Sequence, residues 1–249
     1  MTVDQLLLIA VASLAGAMVK SVVGMGYPVL AVPLIALGLG VEDAVVVVAL
    51  PNLAANAYLW WESRDATATA GPMGRFLVFG SLGAVLGTVA LVRLAPEPLM
   101  IVLALSVVVF VVNFLARPDF ELAPALARRL SPLVGMVAGL LQGAIGVSGP
   151  VVAGWVHTYK LPPRAFVHSI TAVFGLTGAI QVIVLALQGQ FTSARFAGIA
   201  VAAVPVAAVM PVGVRLRNRL AGSTFDRVVL AALSVSAVSL LADALGVLG

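Results

Sequence analysis

The run Lys20-Ser21-Val22-Val23-Gly24-Met25-Gly26-Tyr27-Pro28 sets one cation beside two glycines and a proline inside an otherwise apolar stretch. Half a chain later comes Gln142-Gly143-Ala144-Ile145-Gly146-Val147-Ser148-Gly149-Pro150, with Gly146 and Pro150 each 122 positions after Gly24 and Pro28. Glycine lets a backbone leave the helix, and proline suits the first turn of the next helix, where its missing N–H would have gone unpaired. A helix starting near Pro28 and another near Pro150 present free N–H groups and positive dipole ends to the breaks. Helix N-termini are natural anion sites. Two of them meeting form a small anion-binding centre.

The side chains at the breaks have competing readings. Lys20 supplies charge to an anion if the first tip is buried, since an intramembrane cation is costly unless paired or functional. A lysine in a cytoplasmic loop is the other reading. Gln142 stands at the second tip where Lys20 stands at the first. Ser21 and Ser148 either donate to an oxyanion or bond their own helices. Gly26, Tyr27, Gly143 and Gly149 complete the two tips. Asn52 and Asn56, four apart beside Pro51, share one helical face. An amide in a membrane helix also glues helices together, and Asn52 is the stronger site candidate. On the equivalent second-half helix the polar residues are Ser169, Thr171, Thr177 and Gln181, of which Thr171 is assigned to the site. His157 and His168 bracket a loop with Lys160 and Arg164. Histidine suits proton coupling, but a position beside a membrane interface favours surface roles for both. Trp60-Trp61 reads as an interfacial anchor. Arg215, Arg217 and Arg219 fix topology and suit anionic lipid.

The elements that must position these groups are apolar helices. The 249 residues are 62% hydrophobic and 10% charged, with a mean hydropathy of +1.16. Soluble domains average about 45–50% and about 25%. Ten apolar segments recur: 5–19, 22–38, 43–60, 75–93, 98–115, 131–145, 147–159, 165–188, 195–213 and 226–247. Residues 44–50 and 102–112 lack the alternation of barrel strands. The reading is an all-α polytopic membrane protein. Met1-Thr2-Val3-Asp4 lacks the basic region of a secretory signal, so the first run is expected to be retained. The absence of cysteine excludes disulfides, thiolate metal sites and Fe–S clusters. No Gly-x-Ser-x-Gly, His-Glu-x-x-His or Gly-Lys-Ser/Thr motif occurs. Neither an enzyme nor a cofactor is therefore expected, and transport would be secondary. The net charge of +4 forms no patch for nucleic acid.

Alternating sides for the loops puts twelve of the fourteen Lys and Arg residues on one face and only Arg93 and Arg195 on the other. The richer face is cytoplasmic by the positive-inside rule, and both termini are then periplasmic. Residues 116–130 form a polar linker between repeats at 1–115 and 131–249. Five segments per repeat is odd, so the second repeat enters from the opposite face. Arg75-Phe76 matches Arg195-Phe196 at 120, Val92-Arg93-Leu94 matches Val214-Arg215-Leu216 at 122, and Ala44 matches Ala165 at 121. Two inverted repeats result, each opening with a broken or re-entrant helix pair, an architecture that places the substrate where the breaks meet. Segments 5–19 and 22–38 read as half-length helices.

Around the breaks the sequence resembles the TauE/SafE family, the sulfite-exporter-like or TSUP permeases. The resembling residues are Gly16-Ala17, Gly24-Met25-Gly26-Tyr27-Pro28, Ala31-Val32-Pro33, Ala49-Leu50-Pro51-Asn52-Leu53-Ala54-Ala55-Asn56 and Ala138 to Pro150. The resemblance implies a bacterial inner-membrane permease for small sulfur-containing anions such as sulfite, sulfate or organosulfonates. Its partners would be that anion and the lipid bilayer, with either a coupling ion or the substrate's own gradient as the driving force. Ser21 against Gly143 and Tyr27 against Gly149 are departures between the halves where substrate contacts would differ. A membrane scaffold or assembly factor without transport is the alternative. A cation or proton channel is disfavoured, because Asp243 is the only acidic residue inside an expected span rather than at its first position.

Overall fold

The computed structural model describes residues 1–69, 73–116 and 124–220. Within them the regular structure is helical: α1 (Val3–Val23), α2 (Tyr27–Leu39), α3 (Val41–Glu62), a 3-10 turn (Arg64–Thr69), α4 (Gly74–Arg93), α5 (Pro96–Ala116), α6 (Pro124–Ile145), α7 (Gly149–His157), α8 (Pro163–Leu187) and α9 (Ser193–Leu220). These nine helices coincide with the first nine apolar segments. The tenth segment, 226–247 with Asp243 and Arg227, and linker residues 117–123 lie outside the described residues. So do the side chains of Arg217 and Arg219. Residues 124–130, the last part of the polar stretch, are the first turns of α6.

Among the described residues, five stretches are long and apolar enough to cross a membrane: Val3–Val23, Val41–Glu62, Gly74–Arg93, Pro163–Leu187 and Ser193–Arg215. The first corrects the half-length expectation. At about 1.5 Å per residue, 21 residues give about 31 Å, against a hydrocarbon core of about 30 Å. The apolar run ends at Val19, yet the helix continues through Lys20 and Ser21 because both polar side chains find acceptors inside the fold. By contrast α2 and α7, with 13 and 9 residues, are short.

Small residues set the closest packing. Gly135, Gly139 and Gly143 form one stripe of α6 and face Gly80, Gly83, Ala84 and Gly87 of α4. A Cβ on Gly139 would strike the carbonyl of Gly80, one on Gly143 that of Ala84, and one on Gly135 the backbone of Phe76. The constant offset of 59 means that the two helices run parallel. Stripes of small residues are how membrane helices bring their backbones together. The other face of α4 carries exposed Val78, Leu82 and Leu86, so the small residues point inward and the large apolar ones outward, toward where lipid would lie. Likewise α1 runs parallel to α9, with Gly198 beside Met1 and Gly213 against Ser21. Pairing of Gly38 with Leu8 and of Gly16 with Tyr27 makes α1 and α2 an antiparallel hairpin.

Between these pairs α3 packs against α8. The C-terminal end of α3 meets the N-terminal end of α8, where Arg164 bonds Glu62 Oε1 at 3.2 Å, the Glu62 carbonyl at 2.9 Å and Asp65 Oδ1 at 2.8 Å. The guanidinium of Arg164 holds the Asp65 carboxyl below the usual carboxylate range. A depressed carboxylate contributes stability at neutral pH that fades only as pH falls through its folded-state value. At the other end of α3, Arg195 of α9 bonds Asp43 Oδ1 at 2.7 Å and Glu42 Oε1 at 2.8 Å.

The α4–α6 contact gives a paired test. Gly139→Ala should lower stability by about 1–3 kcal/mol, because the clash is with backbone that cannot rotate away. Gly175→Ala, with nothing within 4 Å of the added methyl, should be neutral or stabilising by up to about 1 kcal/mol. Thermal unfolding of the purified variants in detergent measures both.

Candidate functional site

Each break is an interrupted helix pair with the same local chemistry. Gly24 (φ +88°) and Gly146 (φ +70°) both sit in the left-handed region that favours glycine. Each donates its N–H four residues back, Gly24 to the Lys20 carbonyl at 2.7 Å and Gly146 to the Gln142 carbonyl at 3.0 Å. The preceding helix is thereby closed, and the chain restarts as α2 behind Gly26 (φ +106°) and as α7 behind Ser148. No side chain caps either new N-terminus, and Pro28 and Pro150 occupy their first turns. The tips touch: a Cβ on Gly149 would meet Val29 at 3.6 Å and the Met25 sulfur at 4.0 Å.

Lys20 lies at this junction, 1% exposed. Its Nζ donates to Asn56 Oδ1 at 2.7 Å and to Asn52 Oδ1 at 3.2 Å, and it stands 5.7 Å from the centroid of the Phe174 ring. Among the described residues no carboxylate pairs with it. Turning its oxygen to the ammonium leaves the Asn56 Nδ2 buried without a hydrogen-bond partner there. At the equivalent place in the second break, Gln142 bonds neutral groups. Its Oε1 accepts from Ser148 Oγ at 2.9 Å, and its Nε2 donates to Gln181 Oε1 at 3.3 Å. Gln181 Nε2 donates to the Gln142 and Gly143 carbonyls at 2.8 and 3.2 Å.

A cavity opens between the two tips, lined by Lys20, Gly26, Pro28, Val29, Asn52, Gln142, Gly146, Val147, Ser148, Gly149 and Phe174. Polar groups of Lys20, Asn52, Gln142 and Ser148 share its wall with the apolar side chains of Val29, Val147 and Phe174.

Eight of the fourteen residues expected at the site line this cavity: Lys20, Gly26, Pro28, Asn52, Gln142, Gly146, Ser148 and Gly149. Six do not. Ser21 donates to the Met18 carbonyl at 2.7 Å and packs on Gly213. Tyr27 donates to Ser13 Oγ at 3.2 Å within the α1–α2 hairpin. Thr171 bonds the carbonyls of Val167 and His168 on its own helix. Gly143 belongs to the α4–α6 contact, Gly24 packs against Val167, and Pro150 holds the first turn of α7. Phe174 is the residue that sequence reasoning missed. It lies 122 after Asn52, so the repeat register contained a signal for it. His168 is a second correction, being buried rather than superficial. Its ring stacks on Trp60 and meets Ser63 Oγ at 3.4 Å and Thr67 Oγ1 at 3.2 Å, tying the 3-10 turn to α8. His157 is exposed. Lys20 lies in α1 and not in a loop, so it drops out of the loop-charge count.

Fold and site together define a multi-pass helical membrane protein with a buried, cation-bearing pocket at the meeting point of two helix breaks. A family model described as sulfite exporter TauE/SafE matches residues 8–240. The chain belongs to that family of membrane transporters. Neither the comparison with curated proteins nor that with solved structures gives a match.

A double-mutant cycle measures the coupling at the centre of the site. Asn56→Leu should cost about 1.5–3 kcal/mol, since it removes an acceptor from a buried charge. Lys20→Met in the Asn56→Leu background should recover most of that loss in thermal unfolding. Additive losses would mean that the two side chains are energetically independent.

Proposed function

We propose that the chain is a secondary transporter that carries a small sulfur-containing anion across the bacterial inner membrane by alternating access, with sulfite, sulfate and organosulfonates as the candidate cargoes. One observation carries this reading. Lys20, buried and held by amide oxygens instead of a carboxylate, faces the cavity where the two breaks meet. A cation kept in that state is costly unless a ligand supplies negative charge. In this reading Lys20 supplies the charge, and the uncapped first turns of α2 and α7 supply backbone donors. Asn52, Gln142 and Ser148 shape the wall. Gly24, Tyr27, Pro150, Ser21, Gly143 and Thr171 hold the tips in place without touching the anion. Membership of a transporter family supports flux over a scaffold role.

We further read the chain as two inverted repeats, 1–115 and 131–249, joined by the 116–130 linker, with both termini periplasmic. The helix pairing supports this. Break helix α1 runs parallel to α9, the fourth helix of the other half, as break helix α6 runs parallel to α4. The equivalent helices α3 and α8 run antiparallel. The ion clusters at the two ends of α3 both join one half to the other. Releasing one while the other holds would open the cavity to one side at a time.

Protein reconstituted in liposomes should move labelled sulfite or an organosulfonate. Lys20→Gln should slow that flux at least about thirtyfold, the loss expected when one member of a buried charge contact is truncated. Absence of flux for every small anion tested would refute the transport reading.

A further inference from the structure

We infer that the cavity selects for singly charged oxyanions of the R–SO₃⁻ type and rejects dianions of the same size. The inference rests on the transport reading above and narrows its cargo. It follows from counting charge at the site. Lys20 is the only ionisable side chain lining the cavity among the described residues. The helix ends add no net charge. Each break joins the C-terminus of one helix, α1 or α6, to the N-terminus of the next, α2 or α7. The opposite half-charges of these ends are comparable and close together, so they orient donors while cancelling as a sum. The site therefore offers one positive charge.

An ammonium has three N–H donors. Two point to Asn56 and Asn52, which leaves one for an anion oxygen. Beside it the wall is apolar, formed by Phe174, Val29 and Val147. Those surfaces can receive a methyl or other carbon group, and they give nothing to a further charged oxygen. A monoanion next to Lys20 makes a neutral pair. A dianion leaves one negative charge buried without a partner, which is strongly unfavourable in a medium of low dielectric.

Methanesulfonate and sulfate separate the two cases, since both are tetrahedral and similar in size, and a methyl in one replaces a charged oxygen in the other. Binding of each to the purified protein in detergent is measured by titration calorimetry at constant ionic strength, with flux in liposomes as the second readout. Methanesulfonate should bind and be carried, with sulfate on the order of a hundredfold weaker. Lys20→Gln, verified as folded by its thermal transition, should lose methanesulfonate binding. With sulfite itself, flux should rise as pH is lowered and bisulfite replaces the dianion. Sulfate binding as tightly as methanesulfonate, with both carried, overturns the charge rule and leaves the transport reading standing. Failure of methanesulfonate, sulfate and bisulfite alike to bind or move overturns both.

Discussion

The ammonium of Lys20 is buried among amide oxygens, and most of the surrounding architecture follows from keeping it there. A charge this far from water requires acceptors at fixed distance, and α3 supplies them as two asparagines one turn apart. It also requires an end to α1 just beyond it, because a continuous helix would fill the space that the cavity occupies. Gly24 provides that end through a left-handed backbone and a closing hydrogen bond to Lys20's own carbonyl. Charge and break are therefore one local device, and the second break copies the backbone half of it with the neutral Gln142 in place of the cation.

A device of this kind works only if the helices bearing it cannot shift. The glycine stripe of α6 against α4 holds the second break at backbone contact, and the seat of Gly213 on Ser21 holds the first against α9. These contacts owe little to the hydrophobic effect, since bulky apolar groups face outward and lipid offers the same environment. They rest on shape. Adding a single methyl at Gly139 therefore matters more than adding one at Gly175.

The fold class was legible throughout, because apolar runs of spanning length leave few alternatives, and nine segments became nine helices. The breaks were legible to within a residue from glycine and proline placement. The helix extents around them were not: Lys20 and Ser21 look like a loop in one dimension, but the asparagines of α3 hold Lys20 and the Met18 carbonyl holds Ser21 within the helix. The same cause explains the missed Phe174 and the buried His168. An aromatic in an apolar helix has no signal of its own, and a histidine beside charged neighbours reads as surface until Trp60 and Ser63 are seen to cover it. The α4–α6 stripe was present as glycines spaced by four, which the search for chemistry at the breaks passed over. Thr171, assigned to the site from its place in the second half, does not line the cavity. Its hydroxyl bonds its own helix, as buried threonines in helices commonly do.

The role of Lys20 and the paired breaks turns on where the anion sits. A structure determined with a singly charged selenium oxyanion such as hydrogen selenite, located by the anomalous signal of selenium, measures this directly. The expected result is one peak within hydrogen-bonding reach of Lys20 Nζ, between the first turns of α2 and α7 and against Phe174, and absent in Lys20→Gln. A peak elsewhere in the molecule, or an unchanged peak in the variant, would contradict the central claim that this lysine and the paired breaks form the binding site.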